Sequence, residues 1–387
     1  MNQPLKGIRI ADFSHVMAGP FASHLLRLMG AEVIKIEPRR GDQFRSYGGD
    51  RRYDGMSPAF IAANAGKKSI ALDLKDPDEL AIARGIIARS DVLLENFRPG
   101  VITRLGLGYE DVRKFRSDIV FCSVSGYGQT GPQRDWPAID NIVQATSGMM
   151  MLSGGEGDEP VRVGFPIVDT LTGQSAALAI LSALFQRERT GQGAYIDVSM
   201  FDASLAFMTS ALTPFLVTGQ AMKRMGNTGY SGLPTASLFK TKDRREISLG
   251  VVQANQFDAL AREVGREDWL QDVRFATPEA RRENFDAMSH ELEAVFVQRD
   301  AADWERDLSN AGIPCGMIRR VNEAVDLAGP EALIEMAIPG IPQAGQVAIP
   351  NVGFRMTPGS PGTTEPPPRL DEHREEILKW LAGDGRG

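Results

Sequence analysis

One acidic residue, Asp169, lies in a segment whose composition could give it a chemical role. The segment reads Gly164-Phe165-Pro166-Ile167-Val168-Asp169-Thr170, and Pro166 marks the first turn of a long predicted helix. An acid at that place is ordinarily only a favourable partner for the helix dipole. Its neighbours are apolar, however, and a carboxylate held ionised by a helix N-terminus in a dry site could act as a nucleophile. Asp169 is therefore a candidate nucleophile, although it is one aspartate among many on the residue pattern alone.

Cationic side chains follow the ends of several predicted strands. Arg39 and Arg40 follow one strand, Lys75 follows the next, and Arg98 follows a third, with Arg104 a turn later. Because the carboxyl ends of parallel strands form one edge of a sheet, these cations would share a ligand crevice. Such a group favours a phosphate-rich ligand. Solvated surface charge is the alternative for each of them.

His15 directly follows the first predicted strand and precedes the turn Val16–Pro20, which leads into a helix. A turn at this place offers free main-chain N–H groups to a ligand. A lone histidine is nevertheless more often structural than catalytic. No His, Cys, Asp and Glu residues occur at metal-ligand spacing, so we predict no metal site.

A glycine-rich segment, Gly126-Tyr127-Gly128-Gln129-Thr130-Gly131, fits the dinucleotide-binding pattern and follows a strand. Pro132 comes next, so no helix opens where a pyrophosphate would need one. The strand is also the fifth along the chain, whereas the fingerprint belongs after the first. A flexible glycine loop near a ligand, contributed by Gly126 and Gly128, is favoured over an NAD site.

Short apolar runs alternate with helical patterns over the first part of the chain. Strands are predicted at Gly7–Phe13, Glu32–Glu37, Ser69–Leu74, Asp91–Phe97, Ile119–Ser125 and Tyr195–Met200. Helices are predicted at Phe21–Met29, from Asp76 to about Arg89, at Pro166–Arg189 and from Phe201 to about Val217. This alternation predicts an α/β fold with a parallel, Rossmann-like sheet covered by helices on both faces.

We predict a large domain made from both chain ends, 1–220 and 330–387, and a smaller α/β domain at 225–328 inserted between them. The proline-rich stretch Pro339–Pro368 is predicted to be extended and linker-like.

The composition excludes some classes of function. The chain has 387 residues and a formal net charge of −7, which argues against binding to nucleic acid. Only two cysteines occur, Cys122 and Cys315, which favours a reducing compartment over a disulfide framework. No signal peptide is evident and the most apolar stretch, Met200–Met222, reads as a buried helix. We therefore expect a cytoplasmic protein that does not span a membrane.

Several segments together resemble the family III CoA-transferases, the CaiB–BaiF-like group of formyl-CoA transferase and the carnitine CoA-transferase. The segments are Leu5–Asp12, Ala18–Pro20, Met29–Pro38, Asn64–Ser69, Glu95–Gly100, Gly126–Gly128 and Asp197–Met200. Each is weak alone, but their order and spacing are specific. The family's nucleophile follows a Gly-x-Pro-x-x-Asp pattern, which is Gly164-x-Pro166-x-x-Asp169 here. The resemblance thus implies that Asp169 is the catalytic nucleophile.

The resemblance also implies a CoA site, with Arg39 added as a strand-end cation. The CoA contacts expected are His15, Ala18, Arg39, Leu72, Lys75, Asn96, Phe97, Arg98 and Arg104. The implied reaction moves CoA from an acyl-CoA donor to a free carboxylic acid through an aspartyl anhydride and an aspartyl-CoA thioester. It implies CoA as a substrate and no permanently bound cofactor. Relatives form intertwined homodimers, which we also expect here. Small dicarboxylic acids are the expected substrates, because Arg45 and Arg224 lie in loops that could bind a second carboxylate.

Two segments depart from patterns found within the family. Its α-methylacyl-CoA racemases, which are isomerases, carry a histidine in a Gly-His-Asp segment, where this chain has Ala138-Ile139-Asp140. Isoleucine cannot exchange a proton, which argues against a racemase, while Asp140 stays a candidate near the substrate. The Arg-x-Gly-Asn-x-His pattern of many members begins at Arg224 but ends in Gly229 instead of histidine. A CoA-binding protein without chemistry and a nucleotide-binding dehydrogenase are rival classes of function.

Overall fold

The computed structural model describes residues 3–48, 56–338 and 346–383. The chain forms two compact units. The first comprises Met1–Met149, Arg162–Thr218 and Ala328–Gly387, and the second comprises Met150–Val161 and Gly219–Leu327. Residues 150–161 thus belong to the second unit, whereas the sequence analysis placed them in the large domain.

A six-stranded parallel sheet forms the centre of the first unit. Its strands are β1 (Arg9–Asp12), β2 (Glu32–Glu37), β3 (Lys68–Ala71), β4 (Val92–Glu95), β5 (Val120–Ser125) and β6 (Ala194–Ser199). They lie in the order β3-β2-β1-β4-β5-β6, and every neighbouring pair is parallel. The parallel α/β sheet predicted from the sequence is confirmed. This strand order is that of doubly wound nucleotide-binding sheets, in which β1 and β4 flank the point where the winding reverses.

Helices cover both faces of the sheet. Those of the first unit are α1 (Ala18–Leu28), α2 (Pro58–Asn64), α3 (Pro77–Ala88), α4 (Val101–Arg104), α5 (Tyr109–Val112), α6 (Asp140–Thr146), α7 (Ile167–Thr190), α8 (Met200–Phe207), α9 (Thr209–Thr218) and α15 (Arg374–Ala382). One apolar cluster joins the sheet to α1 and α7, and another joins it to α3 and α15. α3 begins as the sequence predicts, because the Asp76 carboxylate accepts the main-chain N–H groups of Asp78 and Glu79.

One helix prediction for the first unit is wrong, and the prediction for its proline-rich stretch is incomplete. The single helix predicted from Phe201 to Val217 is two helices, α8 and α9, which bend by 79° at Met208. No side chain of α9 is buried, so it is not the buried helix that was expected. The proline-rich stretch is not simply a linker either. β11 (Gln346–Pro350) lies within it and pairs antiparallel with β10 (Leu333–Ala337), while residues 339–345 lie outside the described part.

The second unit is a small α/β arrangement with its own core. Its strands β7 (Leu238–Lys240), β8 (Glu246–Leu249) and β9 (Cys315–Met317) form an antiparallel sheet. Its helices are α10 (Ala254–Glu263), α11 (Pro278–Glu283), α12 (Phe285–Phe296), α13 (Ala301–Asn310) and α14 (Val321–Val325). Large aromatic side chains dominate the core, among them Phe257, Trp269 and Phe296, all fully buried.

α7 is long and apolar enough to cross a membrane by length and composition, but half of its most apolar window is buried inside the protein. A core helix of a globular unit meets the same test, and α7 packs on the sheet through Ala176 and Ile180. The expectation that the chain does not span a membrane stays a prediction.

Candidate active site

The turns after β1 and β4 meet at the point where the sheet reverses its winding. Asn96, which follows β4, accepts the main-chain N–H of His15 through Oδ1 and donates from Nδ2 to the His15 carbonyl, both at 2.8 Å. The ring of His15 packs edge-on against Phe97, with the ring centroids 4.9 Å apart. Asn96 therefore binds the two turns together and fixes the main chain at His15.

These turns border a cavity of about 940 Å³ in the first unit. Eight of the residues singled out from the sequence line it: His15, Ala18, Asn96, Phe97, Arg98, Gly126, Asp140 and Asp169. Binding sites of open parallel sheets lie at this edge, and the strand topology brings these residues together from segments more than 150 positions apart. Val16, Trp136, Ile139 and Arg162 also line the cavity.

Asp169 reaches the cavity because α7 passes very close to the start of α1. A Cβ atom added at Gly173 would lie 2.7 Å from the Ala18 carbonyl oxygen and 2.9 Å from the Phe21 ring. Only glycine fits there without displacing a helix. One turn earlier on α7, Asp169 therefore lies beside the turn that carries His15 and Ala18.

The N-terminus of α7 is occupied by Asp140, the first residue of α6. Its Oδ2 accepts the main-chain N–H groups of Val168 at 2.7 Å and Asp169 at 3.2 Å, and its Oδ1 accepts Nε2 of Gln144 at 2.6 Å. Asp140 is thus a capping residue whose hydrogen-bonding capacity serves the local structure. The sequence did not predict α6, so it could not assign this role.

Burial of Asp169, and then the neighbouring charge of Asp140, raise the pKa of its carboxyl from 3.8 to about 7. Burial thus opposes the ionised form expected at the helix start, and the charge of Asp140 at that start adds to the effect. No hydrogen bond from the described residues reaches the Asp169 carboxylate. Its oxygens are available to a ligand in the cavity.

His15 is a neutral group in this site. Burial, and then the charge of Lys35, lower the pKa of its imidazole below the ordinary value of 6.5. The ring is therefore suited to stacking and hydrogen bonding and does not add a positive charge at neutral pH.

Cations surround the turn Asn96–Gly100, where Arg98 is exposed. A Cβ atom at Gly100 would lie 3.2 Å from Nη1 of Arg104 and 3.9 Å from Nη2 of Arg134, so both guanidinium groups lie against this turn. Arg98 and Arg134 line the cavity, and Arg104 does not. The clustering is what a polyanionic ligand requires.

The remaining residues expected to contact CoA lie off this cavity. Arg39 pairs with Glu79 at 3.1 Å, and Lys75 is exposed to solvent. Leu72 is 1% exposed and packs in the core of the sheet, so only its main chain could reach a ligand.

The glycine loop after β5 owes its composition to close packing. A Cβ atom at Gly126 would lie 2.2 Å from the Cβ of Ala138, so the loop presses against the segment that carries Asp140. Gly128 has φ of 87°, a conformation that side chains disfavour. Gly126 thus acts on the site by letting the Asp140 segment approach.

The two arginines expected to bind a second carboxylate have other partners. Arg45 forms a bidentate pair with Glu37, at 2.7 and 2.8 Å, and stacks over the ring of Phe60. Arg224, in the second unit, donates to the main-chain carbonyls of Ser153, Asp158 and Glu159. The structure does not support a substrate-binding role for either side chain. Arg134 and Arg162 line the cavity instead, and no sequence pattern singled them out.

Residues 5–374 match the family model of CoA-transferase family III. The chain belongs to this family.

Known members of this family align with nearly the whole length of the chain. It is 38% identical to the acetyl-CoA:oxalate CoA-transferase of Acetobacter aceti, over 98% of this chain and 96% of the relative. It is 35% identical to the succinyl-CoA:glutarate CoA-transferase of Mus musculus, over 97% of this chain and 86% of the relative. A crystal structure of a CAIB/BAIF family protein from Brucella suis superposes with a TM-score of 0.87 at 29% identity, covering 98% of this chain and 100% of the other. The resemblance inferred from the sequence is confirmed, and the protein is an enzyme that transfers CoA to carboxylic acids.

Ile139 lies on the cavity wall of this CoA-transferase, at the position where the family's racemases would carry histidine. Its side chain is 64% exposed, and its main chain forms the N-cap position of α6 directly before Asp140. Ile139 and Asp169 therefore line the same cavity, and the side chain of Ile139 cannot exchange a proton.

Proposed function

We propose that this CoA-transferase works by covalent catalysis at Asp169 and that its acids are small dicarboxylates. The Asp169 carboxylate attacks the thioester carbonyl of the donor, which forms a mixed anhydride and releases CoA thiolate. The thiolate then attacks the aspartyl carbonyl of the anhydride. The donor acid leaves as a carboxylate, and Asp169 is left as a thioester with CoA.

The acceptor reverses these steps. Its carboxylate attacks the aspartyl thioester, which forms a second anhydride and releases the thiolate again. The thiolate attacks the acceptor's own carbonyl, so the new acyl-CoA departs and the Asp169 carboxylate is regenerated. Each intermediate keeps the energy of an activated acyl group, so the cycle calls for no permanently bound cofactor.

The observation that carries this proposal is the state of the Asp169 carboxylate. It lies on a cavity wall, half-buried, and no described residue donates a hydrogen bond to it. A carboxylate without donors and with a raised pKa is less solvated and therefore more nucleophilic than a surface aspartate. Asp140, in contrast, is engaged by three donors, so we assign it to positioning.

For CoA we propose the turns after β1 and β4. The uncapped start of α1 at Met17 and Ala18 offers main-chain N–H groups, and Arg98, Arg104 and Arg134 supply charge for a diphosphate. Arg39 and Lys75, at the ends of neighbouring strands, are proposed to reach the more distant 3′-phosphate.

For the distal carboxylate of a dicarboxylic acyl group we propose Arg162. It lines the same cavity as Asp169, and among the described residues it forms no ion pair. The names of the relatives include acids with two carboxylates, oxalate and glutarate, which supports this substrate class. A planar guanidinium binds a carboxylate in bidentate fashion.

The substrate class is tested by Arg162→Gln with succinate and butyrate as acceptors, since these acids differ by one carboxylate at equal chain length. Loss of a charged hydrogen bond should raise the KM for succinate about tenfold or more and leave the KM for butyrate unchanged. Arg113→Gln, directly after α5, serves as the control, because Arg113 is an exposed arginine outside the cavity. Equal effects of R162Q on both acids would contradict the assignment.

We also propose a homodimer in a cytoplasmic, reducing environment. Exposed apolar side chains on α7, α8 and α9 support an interface there: Leu178, Phe185, Phe207, Phe215, Leu216 and Val217. Both cysteines are free thiols, which suits a reducing compartment. Light scattering at micromolar concentration should give the mass of two chains, and an active monomer would contradict the dimer.

A further inference from the structure

Val16, in the turn that follows β1, has a main-chain conformation that its side chain opposes. Its φ is +66°, in the left-handed region, and valine is branched at Cβ. A branched residue in this region is a marked outlier, with a cost that the surrounding structure must overcome. The turn lines the cavity with His15, Met17 and Ala18, so its shape sets the shape of the site.

One buried carboxylate holds the main chain in this conformation. Both oxygens of Asp42 lie 3.2 Å from the main-chain nitrogen of Val16, which donates to them. Nζ of Lys35 lies 3.0 Å from Oδ2 of Asp42 and donates to the Ser14 carbonyl at 2.8 Å. Together with the two hydrogen bonds between the Asn96 side chain and the main chain of His15, these contacts bind the turn on both sides of Val16.

Asp42 is itself fixed to the end of β2. Its main-chain N–H donates to Oε2 of Glu37 at 2.9 Å, and its Oδ1 accepts the N–H of Phe44 at 2.9 Å. The side chains of Asp42 and Lys35 are 1% and 0% exposed, and neither lines the cavity that contains Asp169. Asp42 therefore acts on the site through main chain that it holds, at Val16 and at Phe44, and Phe44 also lines the cavity.

We propose that Asp42 is a positioning residue, which keeps the turn at Val16 in its left-handed conformation and so prepares the CoA-binding edge of the cavity before substrate arrives. The inference rests on the proposed function in placing CoA on this turn. Without the Asp42 acceptor, Val16 would relax to negative φ and carry His15 and Met17 away from their places.

The test separates this role from a merely structural one. Asp42→Ala removes both the acceptor and the counter-ion of Lys35, whereas Asp42→Asn removes the charge but keeps an oxygen acceptor for Val16. Both variants leave a buried lysine without its partner, so both should lose stability. Only D42A should weaken CoA binding, by about tenfold, because the strain at positive φ is then released and the turn leaves its binding conformation.

Glycine at position 16 gives the decisive comparison, since it adopts this φ without strain. Val16→Gly in the D42A background should restore CoA affinity to within about threefold of V16G alone. It should not restore stability. If D42A does not fold, the double variant Lys35→Met/Asp42→Ala replaces it, because it removes both buried charges together. This variant is then compared with and without V16G.

Two readouts on the ligand-free and ligand-bound enzyme distinguish the outcomes: hydrogen exchange of the peptide spanning residues 13–18, and the affinity for CoA by calorimetry. The proposal expects faster exchange and weaker binding in D42A, and a CoA affinity close to that of V16G in V16G/D42A, whose amide at position 16 still lacks the Asp42 acceptor. Unchanged exchange in D42A, or no restoration by V16G, would overturn the positioning role of Asp42. Faster exchange in D42A with unchanged CoA affinity would instead contradict the placement of CoA on this turn. It would also contradict a role of Asp42 in CoA binding.

Discussion

Asp140 accepts the main-chain N–H groups of Val168 and Asp169, so one acid caps the helix from which the other projects. The capping acid also adds a negative charge that, with burial, raises the pKa of Asp169 to about 7. Asp140 thus helps to fix the position of the proposed nucleophile and adds to the effect of burial on its pKa.

The pH dependence of the acylation step should report the pKa of Asp169. Because only the ionised carboxylate attacks, kcat/KM should rise about tenfold per pH unit below about 7 and level off above it. Asp140→Asn keeps an oxygen for the helix N-terminus but removes the charge, which should move the midpoint to lower pH. A midpoint that D140N leaves unchanged would show that Asp140 does not set this pKa.

The same raised pKa makes a prediction about stability. The folded state holds the Asp169 proton more tightly than the unfolded chain, so the contribution of this group to stability falls as pH rises from about 4 to about 7. Asp169→Asn cannot ionise and avoids this loss. After discounting for partial exposure, D169N should be more stable than wild type by about 1–2 kcal/mol at about pH 8, with little difference below about pH 4.

Thermal unfolding of both proteins at mildly alkaline pH and at the lowest pH where they stay folded measures this difference. A wild-type protein as stable as D169N under the alkaline condition would contradict the desolvated state of the carboxylate.

Gly173 should be required for activity although it does not touch the cavity. Gly173→Ala places a methyl group 2.7 Å from the Ala18 carbonyl, so α7 must shift and move Asp169 with it. We expect a loss of about 1–3 kcal/mol in stability from overpacking, and up to about a hundredfold in kcat/KM from misplacement of the nucleophile. Glu263→Ala, an exposed helical position at the end of α10, is the control and should leave both unchanged. Normal activity of G173A would contradict the need for this close contact.

Much of the fold could be predicted because its signals are local. β2 has the predicted bounds Glu32–Glu37, and the Asp76 cap fixes the start of α3 within the sequence itself. The strand order at the winding reversal also follows from a general rule, which is why His15 and Asn96 could be expected at one edge.

The features that could not be predicted depend on contacts between residues far apart in the sequence. No sequence pattern in the loop after β2 indicates that Arg45 pairs with Glu37. The structure therefore does not support the substrate-binding role that was predicted for Arg45. Likewise, Asp140 contributes to the raised pKa of Asp169. Asp140 lies at the start of α6, a short helix that the sequence pattern did not predict. The pairing of β11 with β10 is another such contact. The prolines around β11 argued against a strand, but an edge strand tolerates proline.

The enzyme should not exchange the α-proton of an acyl-CoA. A racemase needs an acid and a base at the two faces of the α-carbon, and Ile139 provides neither. Incubation with 2-methylacyl-CoA in D₂O should leave the α-position unlabelled by mass spectrometry, with CoA transfer in the same sample as the positive control. Deuterium uptake at the rate of turnover would refute this prediction.

The central claim is that Asp169 carries the acyl group during turnover, and chemical trapping tests it most directly. Hydroxylamine captures activated carboxyl groups, so enzyme mixed with acyl-CoA and then hydroxylamine should carry a hydroxamate on the peptide that contains Gly164–Gly173. Asp169→Asn should bind CoA and show neither the adduct nor transfer, since the amide has nearly the same size but cannot form an anhydride. An unmodified Asp169 peptide together with full activity of D169N would contradict the mechanism.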